Sequence, residues 1–273
     1  MSEFRNERDT LGDMQVPADA LYGASTARAV ENFPIAKRPV PPEVIHGFGY
    51  LKGACARANQ ELGKLDTKIV EAILAAADEV AQGKHDSHFP VDVFQTGSGT
   101  STNMNANEVI ANLANVELGF CCGAKGEQGA VHPNDHVNMG QSSNDTFPTA
   151  MHIAAALTMG TGLIPALDRL AGELDRKSHE WDELVKIGRT HLMDATPIRV
   201  GQVFSGYAAQ ARLSKVRAER ALKRVEENMP IGGTAVGTGI NTHPEFARRV
   251  CKILSDQLGN KFCEAANHPE AQA

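Results

Sequence analysis

"TPIRVGQVFSGYAAQARLSKVRAERALKRVEEN", residues 196–228, is the stretch on which the fold class turns. Only Gly201 and Gly206 weaken a helix-favouring run, so the spacing predicts one helix that at ~1.5 Å per residue extends roughly 50 Å. Val200, Phe204, Tyr207, Ala211, Val216, Leu222 and Val225 fall on one face, while Arg212, Lys215, Arg217, Glu219, Arg220, Lys223 and Arg224 fill the others. A helix longer than the usual globular length needs other helices along it. The expected architecture is mainly α and built on a bundle, possible within the chain or between subunits.

The flanking text agrees. Val44, Ile45, Phe48, Leu51, Cys55, Ala58 and Leu62 recur at helical spacing between Pro42 and Gly63. Asp66 can cap a second helix, apolar at Ile69, Val70, Ile73, Ala77 and Val80 and closed by Gly83, so the two form a helical hairpin. Residues 104–118 and 147–178 read as further helices, and another begins at Pro244. Residues 1–41, interrupted by Gly12, Pro17, Gly23, Pro34, Pro39 and Pro41, carry turn and extended signals, and VDVFQ (91–95) is the best strand candidate. The glycine-rich connection GFCCGAKGEQGA (119–130) divides an N-terminal, mainly helical domain (1–140) from the first part of a central helical bundle (141–273).

The 273 residues are 42% hydrophobic, enough for a substantial core, and the net charge of −6 offers no field that would draw a phosphate backbone or an anionic membrane. Neither nucleic acid nor membrane is an expected partner, and no stretch approaches the apolar length that spans a bilayer. Five cysteines without a CxxC pair argue against a disulfide or zinc framework and for a reducing, cytoplasmic setting.

Three polar clusters, each preceding a helix, carry the candidate chemistry. In TGSGTSTNMNANE (96–108), glycines free the backbone and hydroxyls are concentrated. A helix N-terminus with such donors suits an anion, although Ser, Thr and Asn also cap helices without binding anything. HPNDHVNMGQSSNDTFP (132–148) poses the same alternatives. There His132, His136 and Asp135 lack an obvious third strong ligand, so no metal is expected. GRTHLMDATP (188–197) supplies a histidine, the side chain best suited to proton transfer near neutral pH. Clusters of uncharged donors can surround a carboxylate without burying compensating charge. MPIGGTAVGTGINTHPEF (229–246) is glycine-dense, either a flexible connection or a wall of the same pocket.

Four ordered motifs, QTGSGTSTNMNANEVIAN, HPNDHVNMGQSSNDTFPTAMHIA, GRTHLMDATPIRVGQ and PIGGTAVGTGIN, resemble the class II fumarases of the aspartase/fumarase superfamily. The resemblance implies a mixed N-terminal domain, a central bundle of long helices and a homotetramer whose active sites are shared between subunits. It implies reversible hydration of fumarate to (S)-malate without a cofactor, the partner being the small dicarboxylate. Substrate contacts then fall on Ser98, Thr100, Ser142, Ser143, Asn144 and Thr190, and catalysis on His191; His132, Asn134 and Asp135 match a secondary dicarboxylate site. Histidine at 191 and serine at 143 favour fumarase over aspartate ammonia-lyase; another superfamily lyase and a catalytically silent scaffold are the alternatives. A loop reading GSSxMPxKxNP, which carries the family's catalytic serine, is absent, as is the C-terminal domain. The resemblance therefore leads us to expect a fragment inactive alone.

Overall fold

The computed structural model describes residues 4–272, which fall into two compact units, one formed by residues up to 154 with 226 onward and the other by residues 155–225. The sequence division at 140/141 marks a change in composition, whereas these units mark where the chain packs on itself.

In the first unit β1 (Phe4–Asp9) pairs antiparallel with β2 (Gly12–Pro17), Phe4 facing Pro17 and Asp9 facing Gly12. The Arg5 guanidinium donates to the carbonyls of Pro17 (3.0 Å), Ala20 (2.6 Å) and Tyr22 (2.6 Å), stapling this ribbon to the next segment. α1 (Ala24–Asn32) follows in a region read only as turn and extended chain. Its start at Gly23 has no side-chain cap of its own; the Glu108 carboxylate, distant in sequence, accepts the N–H groups of Gly23, Ser25 and Thr26. A cap borrowed across the fold leaves no local signal.

α2 (Pro42–Glu61) and α3 (Thr67–Ala81) form the expected hairpin, and Asp66 accepts the Lys68 N–H at 2.9 Å. α3 packs on α4 (Thr100–Glu117), and α2 packs on α8 (Phe246–Leu258). Their interior sides bury Ile45, Phe48, Leu51, Ile73, Ile110 and Leu254, each worth roughly 1.5–3 kcal/mol relative to exposure. The VDVFQ segment is not a strand: Asp92 forms only an isolated bridge with Pro39. The buried Asp92 carboxylate instead organises irregular chain by accepting the N–H groups of Lys37 and Phe94.

α5 (Ser143–Thr158) continues through a wider π-type turn (Met159–Leu163) into α6 (Ile164–Glu180). The resulting Ser143–Glu180 run is long and apolar enough, by length and composition alone, to cross a membrane, which corrects the expectation from sequence. The wider turn carries the helix through Gly160 and Gly162. Core helices of water-soluble proteins pass the same test, so it assigns no membrane role.

The second unit also contains β3 (Val185–Thr190) and β4 (Met193–Arg199), an antiparallel hairpin, followed by α7 (Val200–Glu226). The long helix thus begins at Val200 rather than Thr196, because residues 196–199 belong to β4, where Pro197, Ile198 and Arg199 pair with β3. Within this unit Arg212 bonds Asp175, Lys215 bonds Asp168, and the Trp181 and Phe204 rings stand edge to face with centroids 4.8 Å apart. α7 buries Gly201, Ala208, Ala211 and Ala218; of the larger side chains on the expected face, Tyr207 and Val216 are exposed. The short α9 (His268–Ala271) ends the described chain.

Candidate functional site

The first and second clusters meet in the first unit. Gly99 adopts φ +69°, turning the chain so that Thr100 opens α4, and a side chain there would strike the Phe147 ring. Gln95 Oε1 caps α4 by accepting the Thr102 N–H at 2.8 Å. Ser143 opens α5. The first residues of these helices touch, with Thr100 Oγ1 2.8 Å from Ser143 Oγ. Ser98 Oγ lies 2.9 Å from Thr100 Oγ1, Ser143 Oγ donates to Asn144 Oδ1 (3.3 Å), and Asn144 Nδ2 donates to the Ala235 carbonyl (2.7 Å). Ser142 Oγ accepts the Asn144 N–H at 3.4 Å. Five of the predicted substrate-contact residues therefore form one linked set at two positive helix ends. Ser98 and Thr100 are exposed, Ser142 and Asn144 half-buried and Ser143 buried. Beside them Gly97, Ser98, Asn144, Phe147, Pro148, Met151 and Gln272 line a cleft of about 380 Å³.

This set rests on buried polar groups that sequence reasoning missed. Asp145, with 0% of its surface exposed, accepts the N–H groups of Ser142 (2.9 Å), Gly232 (3.0 Å) and Thr234 (2.9 Å). Burial raises its carboxyl above the ordinary carboxylate range, opposed by those N–H groups and by Lys52. Thus the glycine-dense stretch, through Gly232, Thr234 and Ala235, forms part of the site's support. Lys52 is also 0% exposed; its ammonium donates to Asn103 Oδ1 (2.8 Å), Asn138 Oδ1 (2.9 Å) and Gln141 Oε1 (2.9 Å). Burial pulls it down from its ordinary value to about 7, opposed by Cys55 and Asp145. One signal could have found Lys52: it falls four residues after Phe48 and seven after Ile45, on the apolar stripe of its helix.

Thr190 and His191 belong to the second unit. Thr190 ends β3, and His191 with Leu192 makes the hairpin tip, both left-handed at φ 48° and 60°. Two consecutive left-handed residues match the twist of a two-residue hairpin, at a steric cost for non-glycine residues. Thr190 and His191 are exposed.

His132, Asn134 and Asp135 share one turn of the first unit. His132 Nδ1 accepts the N–H groups of Asn134 (3.2 Å) and Asp135 (3.1 Å) and lies 3.3 Å from Asp135 Oδ2. His136 Nδ1 accepts the His132 N–H at 2.9 Å, and burial, with His132, holds its pKa below the ordinary value. Both rings are engaged locally. Among the described residues no group of three or more His, Cys, Asp or Glu is placed to hold a metal.

A family model described as Lyase (Lyase_1) matches residues 12–272. The class II fumarate hydratase of Halobacterium salinarum is 54% identical over 274 residues, covering 100% of this chain and 57% of that protein. The mitochondrial fumarate hydratase of Saccharomyces cerevisiae is 52% identical over 274 residues, covering 100% of this chain and 55% of that protein. The crystal structure of recombinant class II fumarase from Schistosoma mansoni is 37% identical with a TM-score of 0.92, covering 98% of this chain and 59% of that one. The chain thus spans a little over half the length of these relatives.

Proposed function

Since the chain belongs to the lyase family (Lyase_1), we propose that it forms part of a class II fumarate hydratase, reversibly adding water to fumarate to give (S)-malate, and is inactive alone. The observation carrying this reading is the hydrogen bond between Thr100 and Ser143, which brings two helix N-termini and their neutral donors to one place. In the reverse direction, removing the proton beside a carboxylate moves negative charge onto it. Fixed N–H and O–H dipoles stabilise that charge without reorganising. Ser98, Thr100, Ser142, Ser143 and Asn144 fill this role in our reading. Thr190 adds a contact, and His191 orients or protonates the leaving hydroxyl through water. His132, Asn134 and Asp135 form a secondary dicarboxylate site.

Assembly is part of the proposal. Leu163, Leu170, Leu184, Tyr207 and Leu213 of the second unit are exposed apolar side chains, the kind of surface that further copies would bury. A homotetramer with sites shared between subunits would use it, with residues 141–273 entering the central bundle. We place the enzyme in the cytoplasm, where its five free thiols suit a reducing medium.

The test follows fumarate absorbance with the purified chain and with the chain extended by the part of the Halobacterium salinarum relative that it does not cover. Hydration by the extended protein alone is expected. Turnover at a normal rate by residues 1–273 would contradict the dependence on further polypeptide, and ammonia release from aspartate would overturn the substrate.

A further inference from the structure

We propose that Lys52 is a positioning residue for the Ser142–Asn144 turn, its buried ammonium tying Asn103 of α4 to Asn138 and Gln141 of the loop that delivers the turn. The stoichiometry is complete: three N–H donors meet three amide carbonyl oxygens at 2.8, 2.9 and 2.9 Å. An ammonium can only donate, so it turns those oxygens inward and their NH2 ends toward the surrounding chain. Asn138 Nδ2 then donates to the Gln141 carbonyl (3.3 Å), and Gln141 Nε2 to the carbonyls of Val137 (3.0 Å) and Met139 (3.2 Å). These bonds set the backbone of 137–141, and Ser142 follows directly.

A second branch reaches the far side of the turn. The Thr146 hydroxyl, with one hydrogen to give, stands 3.0 Å from Asn103 Oδ1 and 2.8 Å from the Ser142 carbonyl and is shared between them. The turn is thus held before Ser142 by groups fixed on one cation, with Thr146 as the contact after Asn144. A methionine of similar length would fill the space but leave three amide oxygens without their donor, so the ammonium supplies both their hydrogen bonds and their orientation. That the turn grips a dicarboxylate rests on the function proposed above; that Lys52 sets its geometry does not.

Hydrogen exchange by mass spectrometry at pH 6, on the chain and on its extended form, separates the two. In Lys52→Met, exchange of residues 138–146 is expected to rise on the order of tenfold relative to α3, as oriented bonds are lost. Ile73→Val, at a buried α3 position outside the network, is expected to destabilise without that local rise. In the extended protein, kcat/KM of Lys52→Met for malate should fall about 10–100-fold per folded site, as for other positioning partners, with Ile73→Val near wild type. Should Lys52→Met not fold, Gln141→Met, which removes one acceptor at a half-buried position, should give a smaller rise of about threefold in the same segment. A uniform change, or none at 138–146, overturns the proposal. A local rise in an extended protein without hydratase activity upholds the positioning and sinks the reaction.

Discussion

Replacing Asp145 by asparagine changes one atom at the centre of the site's support, and the structure sets the size of the effect. Oδ2 accepts the N–H groups of Gly232 (3.0 Å) and Thr234 (2.9 Å), and Oδ1 that of Ser142 (2.9 Å). An asparagine oxygen at the Oδ2 place keeps two bonds, but its NH2 then faces the Ser142 N–H, donor against donor. An orphaned buried donor costs about 1–3 kcal/mol, and loss of a desolvated charge offsets part of that. The expected net is about 2 kcal/mol, or roughly 4–8 °C in melting temperature at this chain length. Alanine orphans all three N–H groups, about 3–9 kcal/mol, which rivals the whole stability of a typical domain. Thermal and urea unfolding followed by circular dichroism reads both. The pH dependence adds a check: because burial raises the folded-state pKa of Asp145, its proton-linked stability is fully present below the unfolded value of 3.8. It is lost as pH rises through the folded value. The deficit of Asp145→Asn relative to wild type should therefore narrow as pH rises from about 4. An asparagine variant as stable as wild type at pH 7, or a deficit that grows with pH, would refute the reasoning.

Gly99→Ala forces a left-handed residue (φ +69°) and places a methyl against the Phe147 ring, 2.8 Å from Cε2; about 2–5 kcal/mol should be lost in urea unfolding. Lys52 has its folded pKa lowered from 10.5 to about 7, so the unfolded chain binds the extra proton between those values and wild-type stability gains from this group as pH rises through that window. Urea midpoints at several pH values should show that contribution missing in Lys52→Met. In the second unit, Gly201→Ala places a methyl against the Ser178 carbonyl and 2.7 Å from Asp182 Cα. A net loss of about 1–2 kcal/mol, after the better helix propensity of alanine, should speed limited proteolysis within 155–225.

Helices announced by their own residues were legible: Pro42, Asp66 and Gly83 punctuate α2 and α3, and apolar side chains repeat between them. Elements held from elsewhere were not. α1 takes its cap from Glu108, and β3 and β4 show no alternation because both are almost wholly exposed. The candidate site divides the same way. The clusters that hold Ser98, Thr100, Ser142, Ser143 and Asn144 were visible in composition as short neutral donors before helices, with capping and anion binding both open, and the family resemblance singled out these residues within them. What they stand on left fainter traces: Lys52 only its place on the apolar stripe of α2, and Asp145 none, since an aspartate beside a capping serine is normally read as part of the cap.

By itself the sequence determined the mainly helical fold, the positions of most helices and the chemical kind of each cluster, because propensity, capping and periodicity act over a few residues. Only the tertiary structure decided that Thr100 meets Ser143, that Asp145 gathers the 232–234 loop and that Lys52 sits dry among three amides. Those contacts join residues 43 to 89 positions apart, and whether a polar group ends in water or inside is settled by packing, not by its neighbours in the chain.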